Sequence, residues 1–589
     1  MINILHILDF ETFRHDWLCV IQDPIRETET VIVNDPRKLR AYYDKYKSEI
    51  FIGYNIREYD SYIFKTILCG FDPWDMNEHI ITHHLKGYQF SSELNKFPLI
   101  TYDLLQLGVR LKDLEGFQGH DIYETGVDFR IRRPLTEAEI QETIEYCRND
   151  VDETRELFLK LKADFDVQME LIREFELPLR CISLTQTQLT AEILQASKCD
   201  YGDDFNITFQ PYLDKIKRYK YIVDFYRQFK TDRRLSDWQK KEIYSQSLET
   251  VVAGCPHTFG WGGAHGALPK YSGHGIYLHI DVHQYYPSLV ISNDYFPRSV
   301  TKEGKRRYSM MKDESVRLKK FPELKNKRAG YKLCNNKMTG GMKDKYSKLY
   351  DPCNNNNICV GGQLAILLLI EMLEDVVTLI QSNTDGLIVK LHSIDDYELI
   401  DDICYEWECM TGVKLGFDPI ITDIYQKDVN NYLFVNEDGE VERKGAYVKE
   451  LSDLDYDLPI VNKCLVEYMT KKIPPEVTVN ACDELIMYQK IVKLSGKYDS
   501  VEHNKTKYTF KTYRVFASTD RRDGIIYKCK ASKRDKFANT PERCFIDQSD
   551  IRGKSVPAKL DKKYYIDLAK DRLIQFGLDE FKSQLEFKF

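Results

Sequence analysis

Asp9 and Glu11 lie two residues apart on a run that reads as a strand (residues 2–10 and their continuation), so both carboxylates leave the same face. Two such groups side by side repel each other unless a cation sits between them. Hard oxygen ligands of this kind suit Mg2+ or Mn2+. Alone, an Asp-x-Glu pair is as well explained by an exposed strand end. Two further segments add to it. Residues 53–60 carry Asn55 and Tyr59 and bring Asp60 to the end of a second strand signal at 49–54. Tyr146 and Asp150 stand four apart on a helix expected over 136–162, whose Thr136 and Glu139 have capping-box spacing. Four acids, Asp9, Glu11, Asp60 and Asp150, can hold two metal ions about 4 Å apart, which activate water and stabilise the leaving oxygen of a phosphodiester. Tyr146 can orient that water. Asp60 by itself would pass for a helix N-cap, which leaves the other matches unexplained.

A second group begins at Asp281, at the end of the alternating segment 276–281, where it shares a polar face with Tyr277 and His279. An Asp at that place is also a common turn residue. Asn383, Thr384, Asp385 and Gly386 lie between two apolar runs and read as the turn of a hairpin over 379–391. Between these segments, Arg328, Lys332, Asn336 and Thr339 follow at spacings of four, four and three, one stripe if the segment is helical. Two cations and an amide, thinned at Gly340, can lie along a triphosphate with room for a base above it. Lys320 and Lys325 extend the positive field upstream. A solvated basic helix face is the plainer explanation of the charges alone.

The elements that position these groups follow from length and pattern. At 589 residues the chain predicts several packed domains of roughly 150 residues each. Residues 1–165 read as an α/β unit, 166–250 as a polar helical connector, 301–348 as basic helices and 361–380 as an apolar helix. The run 354–357 is expected to be a loop. The greasiest stretch, 364–373, is too short to span a bilayer. The first residues lack the pattern of a signal peptide, and the 15 cysteines include no CxxC pair, so a soluble protein of a reducing cytoplasm is expected, with no membrane partner. The formal charge of −8 argues at first sight against nucleic acid, but it is unevenly spread. Residues 491–589 hold 23 Lys+Arg against 14 Asp+Glu, a net of +9, which leaves −17 on the other 490. Phosphate contacts need local Lys and Arg and do not require a basic whole.

The first group, in this order, resembles the tyrosine-containing DEDD-type 3′–5′ exonuclease of the ribonuclease-H-like fold, matching at Asp9, Glu11, Asn55, Asp60, Tyr146 and Asp150. The second resembles motifs A, B and C of family B DNA polymerases: Asp281, Gln284, Tyr285, Tyr286, Pro287 and Ser288; Lys332, Asn336, Lys337, Thr339 and Gly340; Asn383, Thr384, Asp385 and Gly386. Three positions depart from the family pattern: Asn383 replaces an acid, Thr339 an aromatic residue and Lys337 a serine.

The resemblance implies an α/β and α+β multidomain chain: a ribonuclease-H-like exonuclease (1–165), a helical connector (166–255), a palm in two parts (256–300 and 361–435) around fingers (301–360), and a thumb (436–589). It implies Asp281 and Asp385 as metal ligands, with the Val282 backbone completing the coordination of two Mg2+, or Mn2+, in each active site. It makes Lys332, Arg328, Lys320 and Asn336 triphosphate contacts, and Tyr286, beside Tyr285, a steric gate against a 2′-hydroxyl. DNA contacts are implied at Asn55 and Tyr59, at Gly262 and Gly263 in the glycine block 260–266, and at Lys444 and Tyr447. Lys505, Lys507, Lys511 and Arg514, interleaved with Tyr508 and Tyr513, resemble a thumb that grips primer–template. The glycine block is not a phosphate-binding Walker loop, since no Gly-Lys-Ser/Thr follows.

These features imply a template-directed DNA polymerase with proofreading, acting on primer–template DNA and deoxynucleoside triphosphates in replication. The compact size resembles polymerases of bacteriophages or mobile elements, which would place it in a host cytoplasm. Fifty-one positions separate Asp281 from Lys332 and another 51 separate Lys332 from Asn383, which favours a nucleic-acid primer over a priming protein. A monomer is expected, and no motif identifies a helicase or single-strand-binding partner. Two rivals stand beside this reading: an exonuclease with a decayed polymerase domain, and a non-catalytic single-strand-binding scaffold.

Overall fold

The computed structural model describes residues 5–24, 27–106, 108–445, 447–531 and 533–582, in two units of mixed α/β structure. Residues 2–4 of the first expected strand and Ala446 lie outside the described residues.

The first unit comprises residues 1–185, 451–459 and 482–564. A five-stranded sheet runs in the order Thr28–Val33, Trp17–Asp23, Leu5–Thr12, Ile50–Gly53, Thr101–Asp103. Leu5–Thr12 pairs antiparallel with Trp17–Asp23 and parallel with Ile50–Gly53. Leu8, Phe10, Cys19 and Ile21 share a core with Ile63, Phe64 and Ile67 of the helix Asp60–Leu68. Glu137–Lys160 packs against Leu5–Thr12 and Trp17–Asp23. Its expected capping box is present: Thr136 N–H donates to Glu139 Oε2 at 2.8 Å and Glu139 N–H to Thr136 Oγ1 at 3.3 Å.

The C-terminal region, expected as one thumb over 436–589, is divided between the units, and 482–564 joins the first. There it forms a three-stranded sheet (Lys490–Lys493, Thr512–Ala517, Cys544–Ile546) and a four-stranded one (Thr506–Tyr508, Ser500–His503, Tyr527–Lys530, Lys533–Lys536). The helix Leu111–Gln118 joins this module to the N-terminal part. Asp113 accepts from Thr512 Oγ1 at 2.6 Å and lies 3.3 Å from Lys493 Nζ. Arg514 is fully buried, donating to Gln489 Oε1 (3.1 Å) and to the carbonyls of Ser549 (2.8 Å), His120 (2.7 Å) and Gly116 (3.2 Å). Burial pulls its guanidinium down to about 10. Arg514 and Tyr513 are therefore interior residues, which corrects the expectation that they face nucleic acid; Lys505, Lys507 and Lys511 are exposed.

The second unit comprises residues 186–450, 460–481 and those from 565 on. Its ten-stranded sheet is centred on Tyr271–Val282, which pairs antiparallel with Gly386–Leu391 on one side and Ile421–Asp428 on the other. Leu278, Ile280 and Val282 enter one core, and Tyr277 enters another with Ile388, Ile421 and Phe434. Tyr277 was expected on a polar face. It is buried instead among apolar residues of the neighbouring strands, and its hydroxyl meets Tyr271 Oη at 2.9 Å.

Behind the sheet lies Pro352–Leu373, a helix of 22 residues. By length and composition it is apolar enough to cross a membrane, but 89% of its apolar window is buried in the unit. It begins earlier than expected, and 354–357 is helix rather than loop. Asp351 caps the helix and Pro352 opens it. The asparagine amides are taken up by neighbours: Asn354 Nδ2 donates to Phe296 O (2.8 Å), Asn356 Nδ2 to Asp204 O (2.9 Å), and Asn357 Oδ1 accepts from Thr208 N–H (2.8 Å). Bound in this way, the side chains no longer compete with the helix backbone. Residues 205–226 of the expected connector contribute Phe205, Ile207, Leu213, Ile222 and Tyr226 to the core around this helix.

Arg514→Ala should lower the unfolding free energy of the first unit by about 3 kcal/mol or more, since it strands several buried carbonyls, whereas Lys507→Ala should shift it by less than about 0.5 kcal/mol. Urea denaturation of the two variants measures this, and equal shifts would contradict the role given to Arg514.

Candidate functional site

In the first unit, Leu5–Thr12 delivers Asp9 and Glu11 on alternate positions, opposite Val20 and Leu18. Asp60 opens its helix and accepts from Phe10 N–H at 3.3 Å, which ties the third acid to the same strand. Tyr146 and Asp150 come from the facing helix. Glu11, Asp60 and Asp150 are buried and Asp9 is partly so. Burial pushes Asp9 well above the usual carboxylate range, and Asp60, Glu11 and Asp150 push it further. Glu11 is raised by burial and by the charges of Asp150 and Asp60. Asp60 reaches about 7, chiefly through burial. The Tyr146 phenol is raised by burial and by Asp150 and Glu11.

Three neighbours in this site were not anticipated. Lys112 Nζ donates to Asp150 Oδ1 at 2.5 Å and to Glu115 Oε1 at 2.8 Å, and lies 4.8 Å from the Tyr146 ring centre. Burial opposes its charge, but Asp150 and Glu115 outweigh that and raise its pKa. Glu115 is pushed up to about 8 by burial. The Cys147 thiol, held protonated by burial and by Asp9, donates to Asp9 O (3.4 Å) and approaches Asp9 Oδ2 (3.6 Å). Asp9, Glu11 and Cys147 each offer an atom within 4.8 Å of the others, but a buried thiol is a poor partner for hard cations, so the carboxylates are the fitting ligands. In sequence Lys112 and Glu115 stand three apart, the spacing of an ion pair along one helix, which does not point to Asp150.

Asn55 adopts φ 62° and donates its N–H to Asp103 Oδ1 at 2.9 Å, while Tyr59 Oη donates to Asn77 Oδ1 at 2.8 Å. Burial raises the Tyr59 phenol, and the charges of Asp60 and Glu11 add to it, so it lies near the acids.

In the second unit, Asp281 pairs across the sheet with Gly386, and Val282 N–H donates to Asp385 O at 2.8 Å. Burial and the Asp385 charge raise the Asp281 carboxyl. The turn is shaped by Asn383, whose Oδ1 accepts from Asp385 N–H (3.0 Å) and Gly386 N–H (2.9 Å). An aspartate there would accept the same bonds, so the neutral residue keeps the geometry while lowering the negative charge.

A cavity of about 330 Å³ opens over these strands. Asp281, Val282 and Asp385 form its floor, with Tyr285 and Tyr286 beside them. Lys332 and Asn336 line it from the helix Lys325–Gly341. Tyr285 is buried and anchored to Gly362 O at 2.6 Å, leaving Tyr286 at the cavity. Arg328, which donates to Ser315 O at 3.0 Å, and the exposed Lys320 are not among the lining residues.

The glycine block abuts the same turn. A Cβ on Gly263 would lie 2.4 Å from Thr384 Oγ1, so a larger residue there would force the Thr384 side chain to shift. Gln363 Nε2 donates to Gly260 O (2.8 Å) and Gly262 O (2.6 Å), which fixes the loop to the apolar helix. Lys444 ends the edge strand Val441–Lys444, and its charge and that of Asp385 are both felt at His265. Arg572 stacks on the Tyr447 ring at 4.3 Å.

No protein-family model matches the chain, and no curated protein is significantly similar to it. Among solved structures, a family B DNA polymerase from the hyperthermophilic archaeon Pyrobaculum calidifontis is similar at 13% identity and a TM-score of 0.42, covering 98% of this chain and 78% of that one. A likeness of that degree carries no argument about activity.

Asp9, Glu11 and Asp60 titrate higher when folded than when unfolded. Their contribution is therefore most favourable below the unfolded carboxylate range near pH 4 and is lost as pH rises through about 7, where Asp60 ionises. Metal-free protein should melt lower at pH 8 than at pH 5.5. Mg2+ should restore roughly 2–8 °C at pH 8 and little at pH 5.5, about what 1–2 kcal/mol gives a unit of this size. Asp9→Asn should raise the metal-free melting temperature at pH 8 and remove most of the Mg2+ increment. Calorimetry with and without Mg2+ decides this.

Proposed function

We propose that the chain is a template-directed DNA polymerase of the family B type, with a 3′–5′ exonuclease that proofreads its product. The observation that carries this reading is the cavity in which Asp281 and Asp385 meet Lys332, Asn336 and Tyr286, residues from three separated segments. A second acidic site in the other unit suits hydrolysis of the same kind of bond.

Each residue has a part to play under this reading. The Lys332 ammonium neutralises the triphosphate as a point charge, and the Asn336 amide lies one helical turn further along the same face. Tyr286 presents its ring to the sugar and leaves no room for a 2′-hydroxyl. Two Mg2+ ions in each site, held by Asp281, Asp385 and the Val282 carbonyl in one and by Asp9, Glu11, Asp60 and Asp150 in the other, would supply the charge that stabilises the oxygens of phosphoryl transfer. In the exonuclease site Lys112 restrains Asp150 and lies over the Tyr146 ring, so that the phenol can orient water. Deoxynucleoside triphosphates suit the hairpin site, and primer–template DNA suits both.

Primer extension with Mg2+ tests the assignment. Asp385→Ala should abolish extension and leave 3′ degradation, and Asp9→Ala should do the converse. Extension that survives Asp385→Ala removes the hairpin site from the reaction. Tyr286→Ala should admit ribonucleotides at least tenfold more readily, about the 1.4 kcal/mol that a factor of ten represents, and unchanged sugar discrimination refutes the gate.

A further inference from the structure

One neighbour of the first acidic site has no part in the chemistry above. Cys147 follows Tyr146 on the helix Glu137–Lys160 and stands three before Asp150, so thiol and carboxylate share the face that packs on Leu5–Thr12. A fully buried cysteine usually packs as a small hydrophobe. This one meets polar atoms instead: its Sγ lies 3.4 Å from Asp9 O and 3.6 Å from Asp9 Oδ2. The sulfur and one carboxylate oxygen from each of Asp9 and Glu11 all fall within 4.8 Å of one another.

Glu11 shows that this trio is short of a cation. It is 8% exposed, and among the described residues no hydrogen bond or ion pair holds its carboxylate. The charges it feels most are those of Asp150 and Asp60, while Lys112 directs its hydrogen bonds to Asp150 and Glu115. A buried carboxylate in that position calls for a positive partner. Asp9 is partly exposed, which leaves an ion a way in from solvent.

The donors select the cation. Mg2+ takes oxygen ligands in octahedral geometry and gains nothing from sulfur. A thiolate with two carboxylates suits a thiophilic ion such as Zn2+, which takes three protein ligands and leaves the fourth position to water. A tetrahedral zinc ion, with Zn–S about 2.3 Å and Zn–O about 2.0 Å, holds its sulfur and oxygen ligands about 3.5 Å apart. The 3.6 Å between Cys147 Sγ and Asp9 Oδ2 already meets that spacing.

We propose that Asp9, Glu11 and the Cys147 thiolate form an inhibitory metal site, which binds Zn2+ or another thiophilic divalent ion in competition with Mg2+. On binding, the S–H bond breaks, the Zn–S bond forms and the proton passes to water. Zinc held in this way takes Asp9 and Glu11 from the Mg2+ pair and stops 3′ degradation. Among the described residues, none lining the hairpin cavity is a cysteine, so extension is the less sensitive activity. The consequence for degradation rests on the reading of this site as an exonuclease; the zinc site itself does not.

The test uses the full chain, freed of metal and without DNA. Titration with Co2+ should raise a thiolate-to-cobalt charge-transfer absorption in the wild type and in Cys409→Ser, which removes an exposed thiol, but not in Cys147→Ser. By calorimetry, Zn2+ affinity should fall in Cys147→Ser by at least the roughly 10–100-fold that loss of an outer-shell partner costs a metal site. The melting increment given by Mg2+ should stay as in the wild type, because the oxygen ligands are untouched. The proposal is overturned by a wild type without the band, by a band or Zn2+ affinity unchanged in Cys147→Ser, or by equal loss of Zn2+ and Mg2+ binding there. Asp9→Asn keeps the thiol and should also lose the band, so it decides the matter if Cys147→Ser fails to fold; a band that persists in it counts against the site. In activity assays, the zinc that halves 3′ degradation should rise in Cys147→Ser by the same factor as the affinity falls, while primer extension continues. A band that depends on Cys147, without 3′ degradation by the zinc-free protein in Mg2+, leaves the metal site and removes the exonuclease reading; degradation without the band does the reverse.

Discussion

Like charges held together at low dielectric govern both chemical sites. Asp9, Glu11 and Asp60 are driven toward their protonated forms by burial and by one another, and Asp281 is driven the same way by burial and Asp385. A chain left to relax would turn these side chains outward. Strand pairing prevents it. Asp9 and Glu11 alternate with Leu8 and Phe10, which are committed to the core beneath, and Asp281 follows Ile280 in the same way. The hydrophobic effect thus holds the acids where electrostatics alone would not, and what remains is an appetite for positive charge.

The two units meet that appetite differently. The N-terminal site carries its own cation, because Lys112 reaches Asp150 and Glu115 from the helix Leu111–Gln118. The hairpin site differs: among the described residues no lysine or arginine pairs with Asp281 or Asp385, and only His279 and His283 offset the charge on Asp281. Its positive charge comes from Lys332, an exposed side chain across a cavity, where it can be shared with an anionic ligand. Asn383 fits this economy: it supplies the turn's acceptor without a further negative charge.

Much of this arrangement was legible in the residues. Period-two alternation placed Asp9 with Glu11 and put Asp281 at a strand end, and helical spacing put Lys332 and Asn336 on one face. These are local rules, and they hold where a segment's neighbours reinforce its own preference. Four features escaped because their causes are distant. The asparagines at 354–357 are helical only because Phe296, Asp204 and Thr208 take up their side chains. Tyr277 is buried because neighbouring strands, distant in sequence, bring Ile388, Ile421 and Phe434 against it. Arg514 carries a charge that usually marks a surface, and only the folded chain brings it the carbonyls of His120 and Ser549. Lys112 was missed for the same reason, since nothing near it in sequence announces Asp150.

The bond between Arg514 and the helix Leu111–Gln118 bears on the order in which the protein is made. A ribosome releases residues 1–185 long before 482–564, yet these segments form one unit. Until Arg514 and Thr512 arrive, the His120 carbonyl and the buried Asp113 lack these partners. The packing around the helix Leu111–Gln118 is therefore completed late in synthesis, and a fragment ending near residue 185 lacks the partners that Arg514 and Thr512 supply.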